Sequence, residues 1–70
     1  MRDPSRIPAF TEKLRRYWEA YFPDWRFGQF MYNFLEFVFK NTKGRDIFYI
    51  EDNEMSALLD KFARDIGGAG

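Results

Sequence analysis

Few side chains here could do chemistry. The 70 residues include no His and no Cys. That removes the commonest general base and the best protein nucleophile. It also removes disulfides and the ligands of an ordinary structural zinc site. The serines and threonines are Ser5, Thr11, Thr42 and Ser56, and none stands in a G-x-S-x-G nucleophile elbow. "KGRD" reads as a turn, not as a glycine-rich phosphate loop. Four carboxylates, Asp46, Glu51, Asp52 and Glu54, crowd one stretch. Their spacing does not match a calcium loop, and acids at the start of a helix favour its dipole. The expectation is a protein that is not an enzyme, with no catalytic residues, no metal and no cofactor.

The cations offer a second chemistry. Arg2, Arg6, Lys13, Arg15 and Arg16 fall in the first sixteen positions, close to Tyr17, Trp18 and Tyr21. Phosphate contacts beside stacking aromatics would suit a single-stranded nucleic acid. On a helical wheel the cations scatter over the polar face and the aromatics take the other face, so no shared platform forms. Eleven basic residues also balance eleven acidic ones, whereas nucleic-acid binders are normally basic. A nucleic-acid-binding accessory that uses these residues and "KNTKGR" is therefore the alternative reading.

The elements that position these groups are read from periodicity. Ile7, Phe10, Leu14, Tyr17, Trp18 and Tyr21 recur at spacings of three and four, a helical face, with start signals at Asp3-Pro4 and Ser5. This first helix spans about 5–21 and stops before Pro23. Asp24 is expected to cap a second helix over about 25–41. Its stretch "FGQFMYNFLEFVF" holds five phenylalanines. At about 100° per residue its apolar arc is about 220° wide, where about 100° suffices for an amphipathic surface helix. Asn41 and Gly44 are natural terminators. "DIFYI", about 46–50, reads as an extended segment in which alternate residues point the same way. One pair, either Phe48 with Ile50 or Ile47 with Tyr49, would then be buried. A third helix over about 53–66 carries Met55, Leu58, Leu59, Phe62 and Ile66 on one stripe, and "GGAG" reads as a frayed end. The fold class expected is all-α: residues 1–70 form one compact three-helix domain, the second helix wedged in the middle, with a short extended segment between helices two and three.

A chain this short buries only about 60% of its unfolded surface, and small domains usually need a staple. Without cysteines that leaves aromatic packing, oligomerisation or both. The surplus apolar arc of the second helix therefore points to a protein–protein interaction module, with a homodimer as the most economical form. Candidate interface residues are Trp25, Arg26, Gln29, Tyr32, Phe39 and Tyr49. Tyr32, Phe39 and Trp25 are the aromatics expected to be left uncovered, and "RFGQ" supplies polar groups beside a loop. No apolar run reaches the roughly 20 residues of a membrane span, and the N-terminus has no signal-peptide pattern. A soluble cytoplasmic protein without a membrane partner is expected.

The succession "RDPSRIP", Trp18, "PDWRFGQFMYN" and "DIFYIED" before an acidic, leucine-containing helix resembles a family of short bacterial and phage proteins related to the small protein YihD. The resemblance spans Arg2 to Phe62. Where that family has aliphatic residues, this chain has Phe30, Phe34 and Phe37. The family carries no assigned activity, so the resemblance implies only an accessory protein of bacterial, phage or mobile-element origin.

Overall fold

Asp3 opens the first helix. In the computed structural model, which describes residues 2–68, its Oδ1 accepts the Ser5 N–H at 2.9 Å. The Arg6 and Ile7 N–H groups bond to the Asp3 and Pro4 carbonyls. Helix α1 then runs Arg6–Tyr21. Pro8 sits in its first turn, where a missing N–H costs nothing. Phe22 leaves the helical region, as a residue before proline must, while its N–H still bonds the Trp18 carbonyl at 3.1 Å.

Helix α2 runs Phe27–Asn41, starting about two residues later than the sequence suggests. Asp24 is not its cap. The Gln29 side chain folds back instead, and its Oε1 accepts the Arg26 N–H at 2.7 Å, one half of a capping box. The delay lets Trp25 turn inward and stack on Phe22, centroids 4.3 Å apart and planes 10° from parallel. At the other end the Gly44 N–H bonds the Phe39 carbonyl at 2.8 Å. This is the six-to-one bond of a Schellman motif. Lys43 occupies its left-handed position with φ 58°, and Gly44 follows at φ 79°.

The segment after α2 corrects an expectation. Residues Ile47–Tyr49 form a single 3₁₀ turn, η1, and only the flanking Asp46 and Ile50 are extended. Asp46 is the cause. Its Oδ1 accepts the Phe48 N–H at 3.0 Å, and its carbonyl accepts the Tyr49 N–H at 3.1 Å. A short Asp side chain bonding the backbone two residues on favours a turn over a strand.

Helix α3 runs Asp52–Phe62 and continues through a wider π-type turn, Ala63–Gly67. Asp52 and Glu54 occupy its first turn, where carboxylates suit the helix dipole. The frayed end expected from "GGAG" begins too early. A Cβ on Gly67 would lie 2.8 Å from Tyr21 Cβ, so glycine here permits a close helix approach. Ala69 and Gly70 lie outside the described residues.

The core is aromatic. Phe30, Phe34 and Val38 form the buried line of α2, facing Leu59, Phe62 and Ala63. The Phe62 ring lies within 6.3 Å, centroid to centroid, of Phe22, Trp25, Phe30, Phe34 and Phe37. Backbone contacts between helices concentrate on α3, which meets α2 and, with its extension, α1. The central element is therefore α3 and not α2, because its narrow stripe carries the ring around which the others gather. Helix α1 has no fully buried residue; Phe10, Leu14, Tyr17 and Trp18 pack on the core from its edge. The wide arc of α2 is consequently not covered in full, and Phe27, Tyr32 and Phe39 remain exposed.

Candidate functional site

The most exposed aromatics lie on η1. Phe48 is 83% and Tyr49 73% exposed, and their rings meet edge to face at 5.0 Å. The turn that carries them is fixed at three points. Ile50 is buried and Ile47 packs on the core, the Ile50 N–H bonds the Ile47 carbonyl at 3.1 Å, and Asp46 caps the front. With three residues per turn, positions 47 and 50 share one side and 48 and 49 take the other. Both pairings read from strand alternation are thus replaced: the two isoleucines anchor, and the two aromatics project together as a knuckle. The sequence singles out Tyr49 but leaves Phe48 as one of a pair that could face either way. The signal for Phe48 is Asp46 two residues before it.

Beside the knuckle the surface is hollow. A cleft of about 500 Å³ opens between the N-terminal halves of α1 and α3, with Ala9 and Phe10 on its α1 wall. Its rim is charged. Arg2 donates twice to Glu51, Nη2 to Oε1 at 2.6 Å and Nε to Oε2 at 3.1 Å. Arg6 Nε bonds Asp52 Oδ2 at 2.5 Å. A smaller recess of about 200 Å³ adjoins it, lined by Arg2, Arg6, Phe48, Ile50, Glu51 and Asp52. Both ion pairs line both hollows, so they stand between the cleft and the knuckle. The Arg2 guanidinium, through its hydrogen bonds and its charge, holds the Glu51 carboxyl below the ordinary range.

Polar contacts continue along the seam. Lys13 Nζ bonds Ser56 Oγ at 2.7 Å and Asp60 Oδ2 at 3.1 Å. The Tyr17 hydroxyl donates to Asp60 Oδ1 at 2.6 Å. That hydrogen bond, with Lys13 second, keeps the Asp60 carboxyl below its ordinary range, while the same bond and burial raise the Tyr17 phenol. Arg15 is held by Glu12 and Glu19 on its own helix. Of the five candidate phosphate contacts, Arg2, Arg6, Lys13 and Arg15 thus face carboxylates, and Arg16 lies exposed on α1. The clustered acids are engaged likewise: Asp46 in the turn, Glu51 and Asp52 with arginines, and Glu54 with Arg45. Among the described residues no three acidic side chains converge as a metal site would need, and no helix is long and apolar enough to cross a membrane.

The remaining candidates scatter. Tyr32, 69% exposed, and Phe39, 54% exposed, lie on one edge of α2. The Phe39 ring also leans on Gly44, where an added Cβ would stand 3.3 Å from it. Trp25 is half-buried, and its carbonyl accepts the Trp18 Nε1–H at 2.9 Å. Gln29 is occupied by the capping bond, and Arg26 is the exposed residue that it caps. Comparison with family models, curated proteins and solved structures finds no match.

Proposed function

We propose that this chain is a non-catalytic protein-interaction module that docks through the Phe48–Tyr49 knuckle, with Tyr32 and Phe39 as further apolar surface. One observation carries the reading: two neighbouring aromatic rings are held largely in solvent by a turn with its own cap, one buried anchor, Ile50, and one partly buried anchor, Ile47. An aromatic side chain has only two rotatable bonds to fix on docking, and aromatics are enriched in interface cores. The nucleic-acid alternative has weaker support, because a phosphate would have to displace carboxylates that already hold Arg2, Arg6, Lys13 and Arg15. A cytoplasmic setting is proposed from the composition alone, and a phage or mobile-element setting from the resemblance alone.

The test is a photo-crosslinking amino acid at position 49, compared with the same group at position 16 on the far polar face of α1. The reading expects discrete protein adducts from position 49, with purified protein or in cell extract, and none from position 16. Equal labelling from both positions, or none from 49, refutes it.

A further inference from the structure

We infer that the partner of this surface is a second copy of the chain, bound so that the knuckle of each copy enters the α1–α3 cleft of the other. The inference rests on the interaction reading above and names the occupant. Its ground is shape. A projection, Phe48–Tyr49, and an apolar-walled hollow of about 500 Å³ stand side by side on one surface. A copy turned through 180° about an axis between them presents its hollow to the first copy's projection, and its projection to the first copy's hollow. That is the reciprocal matching a two-fold interface requires.

Charge agrees with this arrangement. Arg2, Arg6, Glu51 and Asp52 lie between projection and hollow, so the two-fold axis passes near them. Each copy brings two cations and two anions there, and the arginines of one can exchange partners with the carboxylates of the other without net repulsion. The whole chain also carries zero net charge, so long-range repulsion does not oppose pairing.

Area sets the strength. At about 200 Å² per aromatic side chain, the exposed parts of Phe48 and Tyr49 offer roughly 300 Å². A standard interface takes about 800 Å² from each partner. The walls of the cleft and its recess add to this without reaching that figure, so the dimer falls in the small, weak and transient class. Mass should therefore rise with concentration. Phe48→Ala should weaken pairing by about fivefold or more, as expected of an anchor.

The absence of native cysteine makes the arrangement directly testable. Phe48→Cys and Ala9→Cys are made in separate chains; both positions are exposed, and unchanged helical circular dichroism confirms that each variant folds. The two are mixed under mild oxidation, with the position-49 crosslinker run in parallel. The expected result is a disulfide heterodimer of the two variants, in excess of either homodimer. Preferential pairing of Phe48→Cys with itself would overturn the knuckle-in-cleft arrangement while leaving the interaction surface standing. Failure of any disulfide dimer, with the crosslinker capturing a different protein, would overturn the second copy as partner and leave the interaction reading intact. Failure of both experiments would overturn both.

Discussion

Replacing either of two glycines by alanine should move stability in opposite directions. A Cβ at Gly67 would meet Tyr21 Cβ at 2.8 Å, Tyr21 Cγ at 2.9 Å and Phe22 Cζ at 3.1 Å. Comfortable carbon–carbon separations are about 3.5–4.0 Å. Tyr21 Cβ moves only with the α1 backbone, so no rotamer change relieves the clash. The C-terminal extension of α3 must shift away from α1 by several tenths of an ångström. Overpacking of this kind costs about 1–3 kcal/mol, and the propensity gain of alanine over glycine returns up to about 1 kcal/mol. The net result is a destabilisation of about 1 kcal/mol. At Gly28 nothing stands within 4 Å of the added carbon, and the position lies in the first turn of α2. Gly28→Ala should stabilise by about 0.5–1 kcal/mol. The two variants should differ by about 2 kcal/mol, or about 8–16 °C in thermal midpoint for a domain of this size. Urea unfolding followed by tryptophan fluorescence and circular dichroism reads the difference. If Gly67→Ala stabilises as much as Gly28→Ala, the extension does not pack on Tyr21 and the account of the chain's end is wrong.

Further outcomes follow from the same geometry. Phe62→Ala removes the ring at the centre of the core and should cost about 3–5 kcal/mol, most of the stability of a chain this short; a cooperative transition only slightly shifted would show that the core lies elsewhere. Lys43 holds φ 58°, a conformation costing a non-glycine residue about 1–2 kcal/mol; Lys43→Gly, after its own entropic cost, should raise stability by about 0.5–1 kcal/mol in urea, and a loss would contradict the left-handed assignment. Glu51, Asp60 and Asp65 carry depressed carboxyl pKa values, held by Arg2, by Tyr17 then Lys13, and by Lys61. Their contribution is complete above the unfolded value of about 4 and is lost as pH falls through the lower folded values. The Tyr17 phenol is raised, so its contribution is complete below about pH 10 and is lost as pH rises through its folded value. With no histidine side chain, thermal midpoints should be nearly flat from about pH 5.5 to 9; a step near neutrality would be contrary to this.

Much of the fold was legible because it depends on helical periodicity and strong punctuation. Phe10, Leu14, Tyr17 and Trp18 fall on one stripe of α1, and Pro23 ends it. Phe30, Phe34 and Val38 mark the buried line of α2. The exposed Tyr32 and Phe39 follow from an arc too wide for two neighbours to cover. What was not legible depends on side chains bonding backbone a few residues away, or on contacts distant in sequence. Gln29 outcompetes Asp24 as the device that starts α2. Asp46 converts an apparently β-type stretch into a single turn, which changes which residues of "IFYI" face outward and so reveals Phe48. Gly67 looks like a chain end, and only its approach to Tyr21 shows otherwise. The cleft was invisible because its two walls are more than forty residues apart, and the ion pairs that rim it cannot be chosen from a sequence in which every cation has several acids to meet.

The measurement that tests the central claim most directly is molar mass by light scattering across a concentration series. The wild-type chain is compared with a Phe48→Ser/Tyr49→Ser variant. These rings stand in solvent and contribute little to the core, so the variant should keep its thermal midpoint within a few degrees. The wild type should climb from 8.5 kDa toward twice that value, and the variant should stay at the mass of one chain. A wild type that remains monomeric at every concentration, or a variant that dimerises equally well, would contradict the account.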